Sequence, residues 1–315
     1  MIAPISPGRF FAAYCLDWIA GDPQNAPHPV RVIGKAISTG ERWLRRRASP
    51  ASEFLRGAAL TSAIAGGSWL IARLAVRASG ACGEVLLAWT TLATRSLLDE
   101  SAAVLDALDR GELVLARKRL AMIVGRDTEW LDEPEILRAV IETLAEGLCD
   151  GIVAPMVYLV IGGVPLACAY KAVNTLDSMI GHPEPPYRYF GRAPARLDDL
   201  ANFVPARVAV IAIVAAAFVT RRSASRAWLV FRRDGDRHPS PNAGQVEAAM
   251  AGALGVRLGG MNTYEGKPAP KPVLGSEGRR ATRADARAAL RIAGVASAVV
   301  FSAAWLWLRW QKDRA

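Results

Sequence analysis

Four apolar stretches constrain the fold of this chain more than any other feature of its sequence. A helix that crosses a bilayer needs about 20 mostly apolar residues. The stretches that approach this length are 58–76, 152–170, 208–219 and 292–308. They are rich in Ala and Gly, and small residues allow helices to pack closely inside a membrane. The sequence therefore predicts an all-α fold, a polytopic integral membrane helical bundle.

The end of the last apolar stretch supports a membrane location. Three tryptophans and two cations stand there, which is the pattern of an aromatic belt with a cationic anchor at a membrane interface: Trp305, Trp307, Arg309, Trp310 and Lys312. The alternative is that the same stretches form buried helices of a soluble all-α protein. The apolar share of 52% and the mean hydropathy of +0.18 favour the membrane.

The chain is strongly basic, with 39 Lys and Arg against 29 Asp and Glu, which gives a net charge of +10. Nucleic-acid binding is one interpretation, but zinc-finger spacing, an RNP-like aromatic string and a basic helix with heptads are all missing. We therefore expect no nucleic-acid partner. Cationic loops stay cytoplasmic, so the basic regions 21–57 and 220–291 are predicted to face the cytosol. No signal peptide is expected at the N-terminus.

The pattern is helical almost throughout, and it predicts a single integral membrane domain over residues 1–315. Large polar loops are predicted at about 21–57, 99–150, 171–203 and 220–291. Asp132 before Pro134 predicts the start of a helix that runs over 135–150, and Gly111 predicts a break. Strand-like alternation is scarce, and the Pro-rich segment 262–278 is predicted to be a loop.

Three carboxylates are spaced by four residues at Glu142, Glu146 and Asp150, so they lie along one helical face. Like charges stacked in this way repel one another unless a cation faces them. Mg²⁺ held by carboxylates and substrate phosphates is one candidate. An arginine partner, Arg126 or Arg138, is the structural alternative.

Polar residues are also dense directly after the apolar stretch 152–170. Lys171, Asn174 and Ser178 fall on one helical face, with Thr175 and Asp177 between them. A lysine can contact phosphate, and Asn and Asp can hold a metal or orient a nucleophile. The next segment adds acidic and amide groups at Asp198, Asp199 and Asn202, whose alternative role is helix capping before an apolar stretch.

Two histidines stand in Pro-rich segments, His28 near Arg31 and His238 shortly before Asn242 and Gly244. A rigid loop that opens a helix of small residues, as after His238, directs backbone N–H groups at an anion. The alternative is a structural turn before a helix at His28 and a solvated loop at His238. The sequence lacks GxxxxGK[ST], GxGxxG after a strand, HExxH and GxSxG. A nucleotide site in this chain would therefore not be a P-loop.

Taken together, six segments resemble the CbiB/CobD family of cobalamin biosynthesis, the adenosylcobinamide-phosphate synthases. The resemblance runs from Leu16 to Gly266, and two departures, at Gly147 and Gln245, remove no charged group. The segments that carry it are DPQNAPHPVRVIG (22–34), GRDT (125–128), ETLAEGLCDGIVAP (142–155), KAVNTLDSMIGH (171–182), FGRAPARLDDLANFVPAR (190–207) and PNAGQVEAAMAGALGVRLGG (241–260).

The resemblance implies a multi-pass enzyme of the cell inner membrane with its active-site loops on the cytoplasmic side. It implies that adenosylcobyric acid is joined by an amide bond to (R)-1-amino-2-propanol O-2-phosphate, or to aminopropanol, with ATP as the energy source and Mg²⁺ as its metal. The partners are then the corrinoid, the amino-alcohol phosphate and the lipid bilayer, with a homo-oligomer or other corrinoid-pathway enzymes left open. A corrinoid transporter or binding protein is the alternative class, and a lipid-type phosphotransferase is a second enzymatic alternative.

We assign the residues to roles as a hypothesis for this reaction. Amide formation needs an activated acyl group, cations around phosphate and a base for the amine. The predicted catalytic residues are His28, His238, Lys171 and Asp177. The predicted metal ligands are Glu142, Glu146, Asp150, Asp198 and Asp199. The predicted cofactor- and substrate-binding residues are Arg31, Arg126, Asp127, Thr128, Asn174, Thr175, Ser178, Asn202, Asn242, Gly244, Asn262 and Tyr264.

Overall fold

The computed structural model describes residues 3–22, 28–46 and 48–314. These residues are mostly helical, which confirms the predicted fold class. The helices are α1 Pro7–Ala20, α2 Pro29–Leu44, α3 Pro50–Trp89, α4 Thr94–Asp109, α5 Leu113–Leu120, α6 Glu133–Gly147, α7 Ala154–Ile180, α8 Arg192–Ala201, α9 Phe203–Val219, α10 Ala224–Asp234, α11 Ala243–Leu254 and α12 Arg283–Lys312. A π-helix spans Leu148–Val153, a 3₁₀ turn spans Gly235–Arg237, and two strands, β1 Leu258–Tyr264 and β2 Lys267–Leu274, form a hairpin.

Several helices begin where local sequence signals predict them. The Asp132 carboxylate accepts a hydrogen bond from the Glu135 amide at 3.0 Å, which confirms the predicted cap of α6. Helix α3 begins in the same way, since Ser49 caps it and Pro50 occupies its first position. A proline at the first position costs nothing, because its missing N–H would have no partner inside the helix.

Three helical segments are long and apolar enough to cross a membrane: Pro50–Asp109, Glu133–Ile180 and Arg283–Lys312. They contain three of the four predicted stretches. The fourth stretch lies in α9, which passes the same test only together with α8, and the pair is bent by 46°. The described part of the chain therefore has three candidate spans, or four if the bent pair crosses as one.

Two of the apolar helices are broken at glycines with positive φ. Gly80 interrupts α3 at φ 62°, at the turn between its two apolar parts, and Gly163 interrupts α7 at φ 65°. A side chain at Gly163 would also lie 2.7 Å from the Ala3 carbonyl oxygen.

The predicted helix 135–150 ends earlier than expected, since α6 passes into the π-helix after Gly147. Gly111 breaks the chain between α4 and α5, as predicted.

The chain divides into two compact units, each built from segments distant in sequence. Unit 1 comprises 1–93, 154–202 and 303–315, and unit 2 comprises 94–153 and 203–302. In unit 1, α2, α3 and α7 share an apolar core that contains Ile37, Leu60 and Leu176. In unit 2, α11 is buried along its whole length, and α6, α9, α10 and the hairpin pack against it. The single domain over 1–315 stays a prediction.

The predicted loop over 262–278 is wrong, because most of this segment belongs to the β1–β2 hairpin. Strand β2 carries prolines at every second position, Pro268, Pro270 and Pro272. Alternate residues of an edge strand direct their N–H groups away from the partner, so prolines at this spacing cost the ladder little. The other predicted polar loops are largely helical, since α2, α4, α5, α6, α8, α10 and α11 lie within them.

Candidate functional site

A buried ion-pair cluster in unit 2 contains Arg126, Arg138, Glu142 and Asn262, and we call it the Glu142 cluster. Arg126 Nη2 donates to Glu142 Oε2 at 2.5 Å, and Arg138 Nη1 donates to Glu142 Oε1 at 2.9 Å. The Gly259 amide donates to the same Oε1 at 2.8 Å. Both arginines that were the alternative to a metal therefore pair with Glu142, and each oxygen of its carboxylate accepts a hydrogen bond from an arginine.

Asn262 joins the two arginines of the Glu142 cluster. Its Oδ1 accepts from Arg126 Nη1 at 2.8 Å and from Arg138 Nη2 at 3.0 Å. Guanidinium groups are donors without acceptor capacity, so these two bonds fix which end of the amide is oxygen. Arg126 thus contacts Glu142 and Asn262, whereas the sequence-based hypothesis assigned it to cofactor and substrate binding.

The segment after Arg126 fastens the hairpin instead of presenting free ligand groups. The Asp127 carboxylate accepts hydrogen bonds from the amides of Glu265 at 3.1 Å and Gly266 at 2.8 Å, at the hairpin turn. The Asp127 amide donates to the Thr263 carbonyl at 2.8 Å. Thr128 Oγ1 donates to the Arg117 carbonyl at 3.1 Å. These bonds give Asp127 and Thr128 structural roles where ligand contacts were predicted. Tyr264 is half-buried beside the turn.

His238 lies buried after the 3₁₀ turn, and its Nδ1 accepts the Ser240 amide at 3.0 Å. Burial, together with the charge of Lys271, lowers the pKa of His238 to about 4, although the Ser240 bond and Glu142 act in the opposite direction. The imidazole is therefore neutral near pH 7, and its proton sits on Nε2 because Nδ1 is an acceptor. In this state His238 is a hydrogen-bond donor, whereas a base for the amine was predicted.

The lowered pKa of His238 predicts that the protein loses stability in mild acid. The unfolded chain takes up a proton near pH 6.5, whereas the folded protein resists it until about pH 4. The stabilising contribution is therefore complete above about pH 6.5 and is lost as the pH falls toward 4, with a limit of about 3 kcal/mol. Thermal unfolding measured from pH 7.5 to 4 should show this loss, and His238→Gln should flatten that part of the profile. A profile equally steep in the variant would contradict the assignment.

Glu247, on the buried helix α11, was not among the predicted site residues. Burial is the main cause that raises the pKa of its carboxyl well above the usual value, and the charges of Glu142 and Glu146 add to it. Lys271 and Arg126 act in the opposite direction. Helix α11, which carries Glu247, packs against α6 and against both strands of the hairpin. Burial favours the protonated carboxyl of Glu247 there.

Asn242 and Gly244 shape the start of α11. Asn242 Oδ1 accepts a hydrogen bond from Arg207 Nη1 at 3.0 Å. A side chain at Gly244 would lie 2.5 Å from the Gly235 carbonyl oxygen and from His238 Cβ, so glycine permits the close approach of these segments. Gln245, one of the two departures from the family pattern, donates to Asp236 Oδ1 at 2.7 Å.

A second buried polar cluster lies in unit 1 and joins α7 to α8. Asp198 Oδ1 accepts from Asn174 Nδ2 at 3.3 Å, and its Oδ2 accepts from Asn202 Nδ2 at 3.0 Å. Tyr170, which was not predicted, donates from its hydroxyl to Asn202 Oδ1 at 2.9 Å. We call these four residues the Asp198 cluster. The structure thus brings Asn174 of one predicted segment together with Asp198 and Asn202 of the next.

The remaining predicted residues of α7 and α8 are arranged differently. The Thr175 hydroxyl donates to the Lys171 carbonyl at 2.6 Å, and the Ser178 hydroxyl donates to the Asn174 carbonyl at 3.0 Å, so both bond their own helix. The residues Lys171, Asp177 and Asp199 are half-buried in unit 1.

His28 caps α2, since its Nδ1 accepts the Val30 amide at 3.3 Å and its Nε2 lies 3.3 Å from Asp22 Oδ1. Arg31 is exposed on the first turn of the same helix. The structure gives His28 the local role that the structural-turn alternative predicts. Residues 23–27 of the first resembling segment lie outside the described residues.

The described residues contain no group of three or more His, Cys, Asp or Glu side chains that could hold a metal ion. The predicted set Glu142, Glu146 and Asp150 does not form such a group, and Glu142 is already paired with two arginines. Glu146 is exposed and Asp150 is half-buried. These side chains by themselves do not fit a bound Mg²⁺.

Long apolar helices, a bent helix pair and charged clusters buried beside them define a polytopic helical membrane protein. The chain matches the model of the CobD/Cbib protein family over residues 10–293. It is therefore a member of the CobD/CbiB family, as the resemblance indicated.

Named relatives agree with this membership. The chain is 49% identical over 268 residues to the cobalamin biosynthesis protein CobD of Geobacter metallireducens, covering 84% of each protein. It is 43% identical over 296 residues to the CobD protein of Photorhabdus laumondii, covering 91% of this chain and 93% of the relative. It is 43% identical over 299 residues to the cobalamin biosynthesis protein CbiB of Salmonella typhimurium, covering 92% and 93%. No solved structure matches the chain at a significant level.

Proposed function

We propose that this chain acts in cobalamin biosynthesis as an ATP-dependent amide ligase of the cell inner membrane. It joins a propionate carboxylate of adenosylcobyric acid to the amine of (R)-1-amino-2-propanol O-2-phosphate, or to aminopropanol. The observation that carries the proposal is identity of 43% or more, over most of the chain, to relatives named for cobalamin biosynthesis. The amide chemistry comes from the resemblance of the six sequence segments.

The proposed reaction proceeds in two balanced steps. The corrinoid carboxylate attacks the γ-phosphate of ATP, which forms an acyl phosphate and releases ADP. The amine then attacks the acyl carbon, the C–N bond forms, phosphate leaves and the amine gives up a proton. The barrier to phosphoryl transfer is lowered mainly by positioning and by neutralising charge. Mg²⁺ enters with ATP in this proposal, held largely by phosphate oxygens.

The roles proposed for the chain are those assigned from the sequence, except that of Arg126. Lys171 and Arg31 are the proposed cations for phosphate, whereas Arg126 contacts Glu142 and Asn262. Glu146 and Asp150 remain the proposed carboxylates at the reacting groups. The amides of the Asp198 cluster, Asn174 and Asn202, are proposed to recognise the amide groups of the corrinoid.

The experiment is product formation by the full chain in detergent or lipid nanodiscs. We expect a corrinoid amide and ADP, measured by mass spectrometry, only when ATP, adenosylcobyric acid and the amine are all present. Asp150→Asn and Glu146→Gln should insert normally and lose most of the product, whereas Glu129→Gln, at an exposed carboxylate, should retain it. Near-normal turnover in both variants would refute the carboxylate roles.

A transporter or corrinoid-binding protein is the second candidate, favoured by the breaks at Gly80 and Gly163 within apolar helices. The same preparation separates the two functions. Corrinoid binding or uptake without any amide product, under conditions where ATP and the amine are in excess, would overturn the ligase and support the transporter.

A further inference from the structure

Three polar atoms on α11 and on segments that pack against it are buried without a hydrogen-bond partner among the described residues. They are Asn262 Nδ2, His238 Nε2 and Glu247 Oε2, on residues that are 3%, 9% and 2% exposed. Leaving a buried polar group unpaired is costly, and native proteins contain few of them. Three such atoms on elements packed together around α11 therefore require an explanation, and a ligand that bonds to them supplies one.

Two of these atoms are hydrogen-bond donors by geometry alone. Asn262 Oδ1 accepts from both arginines of the Glu142 cluster, so the unpaired atom is the NH₂ group. His238 Nδ1 accepts the Ser240 amide, so the neutral ring carries its proton on Nε2. Glu247 adds a third donor when its carboxyl is protonated, as its burial favours. A ligand that satisfies these groups must therefore present acceptor oxygens.

Lys271 supplies positive charge on the same face of the hairpin as Asn262. It pairs with Gly260 of β1, two residues before Asn262, and alternate residues of a strand share a face. Its charge also lowers the pKa of both His238 and Glu247. Among the described residues it forms no salt bridge, whereas the arginines of the cluster are paired with Glu142. An anionic oxygen group is bound by fixed hydrogen-bond donors together with a cation that forms no salt bridge.

The number and arrangement of charges favour phosphate over carboxylate. Three donors and a lysine match the three terminal oxygens of a phosphate monoester better than the two oxygens of a carboxylate. Glu146 is exposed and stands one helical turn after Glu142 on the same face of α6. An exposed carboxylate near the donors suits a ligand that carries an ammonium group as well as a phosphate.

We infer that His238, Asn262 and Lys271, with Glu247, bind the phosphate group of the amine substrate, and that Glu146 faces its ammonium group. That these groups bind phosphate is argued from the structure, and which molecule carries the phosphate rests on the proposed function. This site distinguishes the two amine donors, because aminopropanol carries no phosphate group to fill it.

The first test measures binding of inorganic phosphate to the full chain in detergent, by calorimetry at constant ionic strength. We expect Lys271→Met to weaken binding at least tenfold. Lys267→Met, at an exposed lysine on the same strand, is the matched control and should bind as the unsubstituted protein does. The inference is wrong if the unsubstituted protein binds no phosphate, or if Lys271→Met binds it with unchanged affinity.

A second variant removes a donor without removing the structural contact. Asn262→Asp has nearly the same shape and keeps an oxygen for both arginines, but it places an acceptor where the donor NH₂ stood. We expect it to remain folded and to lose phosphate binding at least tenfold. Retained binding in a folded Asn262→Asp protein would contradict the donor assignment.

Turnover then identifies the molecule that carries the phosphate. Lys271→Met should raise KM for (R)-1-amino-2-propanol O-2-phosphate at least tenfold and leave KM for aminopropanol within twofold. A rise confined to KM for ATP, or an equal rise for both amines, would overturn the assignment to the amine substrate. If no amide forms at all while phosphate still binds, the proposed function fails and the phosphate site stands.

Discussion

Replacing Glu142 by Gln is expected to destabilise the protein by about 3–5 kcal/mol. The substitution removes the one carboxylate that faces both Arg126 and Arg138, whose side chains are 8% and 7% exposed. Removing one partner of a buried ion pair leaves an uncompensated charge, which costs much more than the pair contributed. The Gly259 amide would also lose a charged acceptor. The unfolding temperature in detergent and the rate of amide formation should both fall.

Glu135→Gln is the control for the loss of Glu142. Glu135 also bonds Arg138, but its side chain is 40% exposed, so water replaces much of the lost interaction. Exposed ion pairs contribute about 0–1 kcal/mol, and we expect an effect of that size. Comparable destabilisation by the two substitutions would show that the buried charges of Arg126 and Arg138 are not the cause.

Replacing Gly57 by Ala is expected to cost at least about 3 kcal/mol, although alanine favours helices. A Cβ at this position of α3 would lie 1.9 Å from the Phe190 carbonyl oxygen, well inside any real contact. The obstacle is backbone and cannot move aside as a flexible side chain would, so the segments must separate. Inserting atoms into a packed core costs about 1–3 kcal/mol in ordinary cases. We expect the cost of Gly57→Ala to lie at the upper end of this range or above it. The measurement is the unfolding temperature in detergent.

Gly66→Ala on the same helix is the matched control, since an added Cβ there meets no atom within 4 Å. Alanine in place of glycine inside a helix contributes up to about 1 kcal/mol, so this variant should be as stable as the unsubstituted protein or more so. If Gly57→Ala were as stable as Gly66→Ala, α3 would not contact the Phe190 backbone as closely as described.

Much of the helical framework could be predicted from local sequence. Hydropathy located the apolar segments, and the Asp132 cap and the Gly111 break each depend on a few neighbouring residues. The hairpin was missed because β1 is rich in glycine and β2 in proline, and both residues normally indicate a loop. Its formation depends on distant bonds, from Asp127 to the turn and from Gly259 to Glu142.

The sequence predicted which residues belong to the polar sites better than it predicted which of them bond to one another. Arg126 and Arg138 were named only as the alternative to a metal at Glu142, and the structure shows that both arginines pair with it. Asn262 joins Arg138 across 124 residues, and no local pattern reveals such a pairing. Glu247 stands alone among small residues of α11, where a single carboxylate would ordinarily face solvent, so its burial could not be anticipated.

The i, i+4 pair of Arg138 and Glu142 has a consequence for how the chain is made. During synthesis α6 leaves the ribosome long before residues 259–262 do. If all the partners of Glu142 were so distant, its carboxylate would stay unpaired until they arrived, and burying an unpaired charge costs several kcal/mol. Because Arg138 is one turn away, the helix brings its own counter-ion, so burial of Glu142 need not wait for the C-terminal third of the protein.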